Sequence, residues 1–295
     1  MGKFASKKVF IFLGALVAFN VVAWAVIFDL TKSQLLEVNF FDVGQGDAIF
    51  IETPKNQQVL IDGGPGTKIL EKLGKEMPFW DRDIDLIILS HPEADHLLGL
   101  IEVLKKYKVE NILWTGVIRD TPEYKEWEEL IKKEGAKIFI ASNGQKIKMT
   151  NGISIDILFP FESVEGKEFR NSNDTSIVSR LVLGYNSFLF TGDISETAEK
   201  ELISEYSCAN SCGFAVLDSD VLKIAHHGSK TSSSEDFLKE VSPEIAVISV
   251  GKDNSYGHPT QEVLENLNKY GIKVLRTDEA GDIKIISDGQ NLKIE

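Results

Sequence analysis

The stretch that decides the fold is Ser90-His91-Pro92-Glu93-Ala94-Asp95-His96. An apolar run before it, Leu86 to Leu89, predicts a buried strand, and Leu97 to Ile101 after it predicts the start of a helix. A rigid sheet fixes ligands at a strand end, and nitrogen with carboxylate oxygen favours Zn, Mn or Fe over Ca or Mg. The alternative is a polar turn with a capping Asp, which the rest of the chain disfavours. Four potential metal ligands lie within this stretch: His91, Glu93, Asp95 and His96.

The remaining histidines follow the same pattern, because all five in the chain lie in three short stretches. His226 and His227 also follow an apolar strand, and His258 lies in a turn before a helix capped by Thr260. Three aspartates occupy further strand ends: Asp42, Asp62 and Asp193. A single Asp at such a position is by default a turn cap. The coincidence of so many strand-end ligands predicts one metal site at a sheet edge.

Composition sets limits on the partners. The chain has 295 residues, 43% hydrophobic and 26% charged, as in an ordinary globular protein. Its net charge of -13 provides no global basic field for nucleic acid. This argues against a high-affinity DNA-binding module, but not against a nuclease that binds transiently.

The N-terminus predicts a membrane anchor. An apolar run from Val9 to Phe28, with Asn20 as its one polar residue, is long enough to span a bilayer and longer than a usual signal-peptide core. Three lysines before it place the N-terminus inside and the body outside the cytoplasmic membrane: Lys3, Lys7 and Lys8. We expect an uncleaved anchor and linker over 1–34 and one domain over 35–295. Cleavage at Ala23-Trp24-Ala25, giving a secreted protein, is the alternative. Cys208 and Cys212 are expected to form a structural disulfide, since a metal site would need further cysteines.

The order of elements predicts an α+β fold. Strands and helices mix throughout, and hairpins such as the one turning at Gly184-Tyr185-Asn186 argue against a purely parallel sheet. We expect two mixed sheets packed together with helices outside. Among the helices are one over Ala94 to Tyr107 and one capped by Thr121 and ended by Gly135. A strand over Val221 to Ala225 is expected to lead into His226 and His227.

Seven short motifs follow one another along the chain: Phe41-Asp42-Val43-Gly44-Gln45-Gly46-Asp47-Ala48, Ile61-Asp62-Gly63-Gly64, Ser90 to His96, Asn173-Asp174-Thr175-Ser176-Ile177-Val178, Leu189-Phe190-Thr191-Gly192-Asp193, Leu222-Lys223-Ile224-Ala225-His226-His227-Gly228-Ser229-Lys230, and Ser255-Tyr256-Gly257-His258-Pro259. In this order they resemble the metallo-β-lactamase-fold hydrolases, most of all the nuclease-like domain of ComEC-type DNA-uptake (competence) proteins. The resemblance implies an αββα sandwich with its metal site at one edge between the sheets.

The resemblance further implies a phosphodiesterase or DNA nuclease, acting through a hydroxide that bridges two divalent ions, Zn²⁺ or Mn²⁺. One ion would bind His91, Glu93 and Asp193. The other would bind Asp95, His96, Asp193 and one of His226 and His227. Adjacent strand residues face opposite ways, so only one of the pair is expected to be a ligand. We favour His227 as that ligand and His226 as a substrate contact. The catalytic group would comprise Asp95, His226 and His258.

His258 could donate a proton to the leaving oxygen or hold a phosphate, and the alternative is a solvent-facing turn histidine. Residues expected to contact substrate are Asn173, Ser229, Lys230 and Thr231. The expected partners are single-stranded DNA, the membrane and a separate channel protein, since one helix cannot form a DNA pore. The chain departs from the family in having Glu93 where Asp or His is usual. The third His that many members of the wider fold have is absent near Asn173, as it is in ComEC-type proteins. Two alternatives remain: hydrolysis of another ester, lactone or β-lactam, and a non-catalytic tethered binding module.

Overall fold

The computed structural model describes residues 2–31, 35–207 and 215–295, which excludes Cys208 and Cys212 and so leaves their pairing a prediction. The coordinates divide into two compact units, residues 1–34 and 35–295. The described part of the first is a single helix, α1 (Gly2–Thr31). Its segment Lys7–Trp24 is long and apolar enough to cross a membrane, a test that a signal sequence also passes.

The described part of the second unit contains fifteen strands and seven helices. The strands are β1 (Leu36–Phe40), β2 (Ile49–Glu52), β3 (Gln58–Ile61), β4 (Asp83–Ile88), β5 (Lys108–Trp114), β6 (Lys137–Ile140), β7 (Lys146–Lys148), β8 (Ser154–Phe159), β9 (Val178–Leu183), β10 (Asn186–Phe190), β11 (Val221–Lys223), β12 (Ile245–Ile248), β13 (Lys273–Arg276), β14 (Ile283–Ser287) and β15 (Leu292–Ile294). The helices are α2 (Lys68–Glu76), α3 (Ala94–Leu104), α4 (Pro122–Glu134), α5 (Glu196–Ser207), α6 (Glu235–Val241), α7 (Gln261–Lys269) and α8 (Thr277–Ala280).

The strands form two mixed sheets, which confirms the predicted fold class. One has eight strands in the order β15-β14-β1-β2-β3-β4-β5-β6, and the other has seven in the order β13-β12-β11-β10-β9-β8-β7. Each sheet passes from an antiparallel meander, β1-β2-β3 or β8-β9-β10, to parallel strands connected through helices. The carboxyl ends of neighbouring parallel strands lie at the same edge, so the end of β3 lies beside that of β4, and the end of β10 beside that of β11.

Three apolar clusters hold four layers together. The central one joins both sheets through inward-facing side chains, and the rings of Phe40 and Phe190 lie 6.2 Å apart across it. A second packs α2, α3 and α4 on the first sheet, with Trp127 at its centre. The third packs α5, α6 and α7 on the second sheet through residues such as Leu202 and Phe237. Burial on this scale is the main force that fixes the strand ends in place.

Local signals predicted several boundaries correctly. The Thr121 hydroxyl accepts a hydrogen bond from the Tyr124 amide at the start of α4, and Gly135 ends that helix in a left-handed conformation with φ 74°. Two predictions were wrong. Helix α3 ends at Leu104 instead of Tyr107, because the chain turns there into β5. The strand expected over Val221 to Ala225 stops at Lys223.

The segment after β11 is a tight turn. Ala225–Gly228 form a 3-10 turn in which His226 and His227 have positive φ angles of 50° and 55°. A left-handed conformation is uncommon for residues other than glycine. Strand alternation therefore does not decide which of the two histidines faces the predicted site, and that argument from the sequence was wrong.

Candidate metal centre

The site forms where strand ends of both sheets meet. Asp62 follows β3, and His91 lies just beyond β4, so both belong to the first sheet. Helix α3 begins at Ala94, which places Asp95 and His96 in its first turn. The second sheet contributes Asp193 after β10 and His227 after β11. The fold thus brings residues more than 100 positions apart in sequence to one edge of the sandwich.

One ligand-capable atom from each of four residues lies within 4.8 Å of the others: Asp95, His96, Asp193 and His227. His227 Nε2 is 3.3 Å from Asp95 Oδ2 and 3.5 Å from Asp193 Oδ2. His96 Nε2 is 3.4 Å from Asp193 Oδ2. Ligands placed tetrahedrally about 2.0–2.2 Å from an ion are roughly 3.3–3.6 Å apart. The group therefore has the spacing of a metal site.

Hydrogen bonds behind the histidines set their tautomers. His96 Nδ1 lies 2.8 Å from Asp62 Oδ2, and His227 Nδ1 lies 2.8 Å from the Ser249 carbonyl oxygen. With a proton on each Nδ1, the Nε2 lone pairs face the cluster, as metal coordination requires. The Asp62 carboxylate therefore orients the His96 ring.

Four buried side-chain atoms at the cluster have no hydrogen-bond partner among the described residues. These atoms are His91 Nε2, His96 Nε2, His227 Nε2 and Asp193 Oδ1. Buried polar atoms are nearly always paired, so three unpaired ring nitrogens and an unpaired carboxylate oxygen aimed at one point call for an explanation. A cation at that point would satisfy all of them, so the residues fit a divalent metal.

The electrostatics of the cluster also favour positive charge. Burial opposes a charge on His227, but Asp193, Asp47 and Asp95 together raise its pKa to about 10. For Asp193, burial opposes the charge as well, yet His227 and His96 hold its pKa well below the ordinary value. Protons and metal ions compete for such a site.

The donors predicted for the first ion are only partly brought together. His91 Nε2 is 4.0 Å from Asp193 Oδ2, and burial, with a contribution from His96, lowers the pKa of His91 to about 3, so the ring is neutral. Glu93 lies outside the group of four. Its carboxylate is 3.0 Å from Arg119 Nη2 and accepts a hydrogen bond from the Ser172 hydroxyl.

A cavity of about 180 Å³ opens onto the cluster. It is lined by Gln45, Glu93, Asp95, Asn173, Asp193, His226, His227, Tyr256 and His258. Asn173 Nδ2 lies 3.4 Å from His226 Nε2, and the His226 and His258 rings are 5.7 Å apart. Three predicted catalytic or substrate residues, His226, His258 and Asn173, thus share a cavity with three of the four donors.

Other predicted residues lie outside this lining. Thr231 Oγ1 is 3.5 Å from His226 Nδ1 and 3.0 Å from Ser229 Oγ. Lys230 lines a different cavity. Asp42, counted among the strand-end ligands, instead pairs with Lys68 at 3.0 Å on the surface.

No role was predicted from the sequence for several residues around the site, including Arg119, Ser172 and Tyr256, although Tyr256 lies in the last motif. Asp47 and Lys223 also lie in motifs without a predicted role, and their Oδ2 and Nζ atoms are 2.7 Å apart with both side chains buried. Two sequence features could have identified this pair. They are a lysine inside an apolar strand and an aspartate after a glycine turn.

Comparison with known proteins places this site in a family. Residues 41–252 match the model of the metallo-beta-lactamase superfamily. ComE operon protein 3 of Bacillus subtilis (strain 168) is 31% identical over 265 residues, which is 84% of this chain and 32% of that protein. Competence protein ComA of Neisseria gonorrhoeae is 34% identical over 251 residues, again 84% and 32%. The chain therefore spans about a third of the length of these relatives.

A solved structure shares the fold. CmlA, a diiron beta-hydroxylase from Streptomyces venezuelae, superimposes with a TM-score of 0.53 at 14% identity, over 83% of this chain and 53% of that one. The resemblance to competence proteins predicted from the sequence is confirmed by the two relatives. The donor cluster, the two mixed sheets and the match over residues 41–252 together show that the chain belongs to the metallo-beta-lactamase superfamily.

Proposed function

We propose that residues 35–295 form a metal-dependent phosphodiesterase that cleaves DNA, most readily single strands. The observation that carries this is the cluster of four donors at a cavity, with the two histidines oriented to present Nε2. The names of the two competence relatives support DNA as the substrate. This chain spans only about a third of each relative, so their other activities are not assigned to it.

We assign two divalent ions, Zn²⁺ or Mn²⁺, to the centre. Asp95, His96, Asp193 and His227 would hold one of them. His91 and Asp193 would hold the other, with Glu93 joining only if its carboxylate leaves Arg119. Bound there, divalent ions supply Lewis-acid polarisation of the phosphodiester and an activated water.

The chain's own residues would orient the substrate. Asn173 and His226 form one wall, where they can donate hydrogen bonds to phosphate oxygens. Burial and neighbouring His226 lower the pKa of His258, so a neutral His258 would hold the leaving oxygen through an N–H hydrogen bond. Asp95, whose side chain is 36% exposed, faces the cavity and would take a proton from the attacking water.

We also propose that α1 anchors the protein in the cytoplasmic membrane, with its N-terminus inside and the hydrolase domain outside. Cleavage of the helix as a signal peptide is the alternative. Passage of DNA through the membrane would need a separate channel protein as partner.

The test uses the full chain in detergent, with its metal content measured and single-stranded DNA cleavage assayed with added Mn²⁺ or Zn²⁺. Asp95→Ala and Asp193→Ala should each lower cleavage by at least about 100-fold, because each removes a donor from the cluster. Asp236→Ala is the matched control, since that aspartate is exposed in α6 and pairs with Lys239 outside the cavity. It should leave cleavage unchanged.

Three other results would each change the assignment. Bound metal without DNA cleavage would favour the ester, lactone or β-lactam alternative. Absence of bound metal would favour a tethered binding module. Equal losses in folded Asp236→Ala and Asp95→Ala proteins would show that the cavity is not the reaction site.

A further inference from the structure

Tyr256 is exposed to solvent and also lines the cavity at the candidate metal centre. Its side chain is 69% exposed, yet it lines the same cavity as Asp95 and His227. The ring stacks on His258 with a centroid separation of 6.0 Å and an interplanar angle of 15°. The ring therefore lies roughly parallel to the His258 ring at the cavity, with surface left for a ligand.

The loop that carries this ring is held in place by hydrogen bonds. Asn254 Oδ1 accepts from the amides of Tyr256 at 3.2 Å and His258 at 3.1 Å. Asn254 Nδ2 donates to the His258 carbonyl oxygen at 2.7 Å. The Gly251 amide donates to Gln45 Oε1 at 3.2 Å, which ties the loop to the turn after β1. A ring on such a loop loses little freedom when a ligand stacks on it.

The size of the cavity limits what can enter it. At about 180 Å³ it is smaller than the roughly 300–1,000 Å³ of pockets that enclose drug-sized ligands. A phosphodiester fits, but the bases on either side of it must stay at the mouth. With a net charge of -13, the protein cannot hold nucleic acid by a global basic field. Contacts near the scissile group must supply the binding energy.

We propose that Tyr256 is a base-stacking subsite, on which an unpaired nucleobase rests while the adjacent phosphodiester enters the cavity. This deepens the proposed function and depends on it for the nature of the substrate. Aromatic rings bind bases of any sequence, because every base has a π face. Bases in a duplex are already stacked on their neighbours, so the subsite favours single strands.

The experiment compares Tyr256→Ala and Tyr256→Phe in the full chain. Tyr185→Ala is the matched control, because Tyr185 is 87% exposed in the turn between β9 and β10 and does not line the cavity. Cleavage of a single-stranded oligonucleotide is measured as KM and kcat. We expect Tyr256→Ala to raise KM about 10- to 100-fold, with Tyr256→Phe and Tyr185→Ala close to wild type.

An abasic oligonucleotide identifies the partner of the ring. Wild type should lose about as much affinity for it as Tyr256→Ala loses for the normal strand, and the two changes together should add little. A loss in Tyr256→Ala that persists with the abasic strand would overturn the proposal, because the ring would then act by supporting His258. An unchanged KM in Tyr256→Ala, or a loss in Tyr256→Phe as large as in Tyr256→Ala, would overturn it as well.

A second readout separates this proposal from the proposed function. Fluorescence of a 2-aminopurine base in the bound oligonucleotide should be quenched by wild type and Tyr256→Phe, but not by Tyr256→Ala. Quenching without any cleavage would retain the subsite and overturn the nuclease activity. Cleavage without Tyr256-dependent quenching would retain the nuclease and overturn the subsite.

Discussion

Lys223 is a fully buried charge next to the candidate metal centre. Its Nζ lies 2.7 Å from Asp47 Oδ2 and donates to the Ile224 carbonyl oxygen at 2.8 Å. A buried ammonium group is costly unless it is paired and hydrogen-bonded, and here it is both. Asp47 Oδ1 is in turn 3.4 Å from His227 Nδ1, so the pair supports a proposed ligand from behind.

Lys223→Met should destabilise the fold by about 3–5 kcal/mol, because it leaves the Asp47 carboxylate buried without its partner. Denaturant unfolding of the full chain measures this loss. The double variant Asp47→Asn with Lys223→Met should recover part of it, since neither charge remains. Purely additive effects of the two substitutions would show that the pair is not coupled.

At the scale of single residues, the sequence indicated which side chains could bind metal, because histidine and aspartate at strand ends are visible in it. It could not show that Glu93 would be held by Arg119 and Ser172, which lie 26 and 79 positions further along the chain. The choice of His227 over His226 stays a prediction, and its support is now the Nδ1 contact with Ser249 instead of strand alternation.

At the scale of elements, a contact between two glycines fixes how closely α3 packs on the loop after β3. A Cβ on Gly99 would lie 1.8 Å from the Gly63 carbonyl oxygen, and one on Gly63 would lie 2.3 Å from the Leu100 amide nitrogen. The helix therefore touches the loop after β3 through bare backbone. Hydrogen bonds from the Gly63 amide to the His96 carbonyl, 2.8 Å, and from the Gly99 amide to the Gly64 carbonyl, 2.9 Å, close the contact.

Gly99→Ala should cost at least about 3 kcal/mol and impair metal binding, because the clash is with backbone that cannot move without displacing His96. Gly74→Ala, on the exposed face of α2 with open space around it, is the matched control and should stabilise by about 0.5–1 kcal/mol. Thermal unfolding and metal content are the measurements. A Gly99→Ala protein as stable as wild type would contradict the contact.

The elements predicted well from sequence were those with local signals. Thr121 caps the start of α4 and Gly135 ends it, as expected, because a cap acts within one turn of its helix. Helix α2 was missed although Ile69 and Leu73 are buried at helical spacing. The turn at 225–228 could not be predicted, since Gly228 there fits against Pro259 of a distant loop.

At the scale of the whole molecule, the sequence predicted two mixed sheets because hairpins and helix-connected strands both occur in each half of the chain. It could not give their strand order, which depends on pairings such as β1 with β14, about 250 residues apart. The apolar N-terminal segment was recognisable from length alone.

The proposed anchor predicts that the full chain sediments with membranes and resists extraction by high salt. Added protease should digest the domain in spheroplasts but not in inverted vesicles, because the lysines hold the N-terminus inside. A variant lacking residues 2–31 should leave the membrane fraction. Recovery of the domain in the medium, starting near residue 26, would instead show signal cleavage.

The donors of the centre come from both sheets, with Asp95 and His96 beside the first and Asp193 and His227 beside the second. A cation bound by all four would therefore also link the two sheets of the sandwich. Its binding free energy is available only to the closed arrangement, so it adds to the folding free energy by linkage. The edge of the sandwich that performs the chemistry would then also depend on the metal for its stability. Removal of the ion would lower the free energy of unfolding as well as abolish activity.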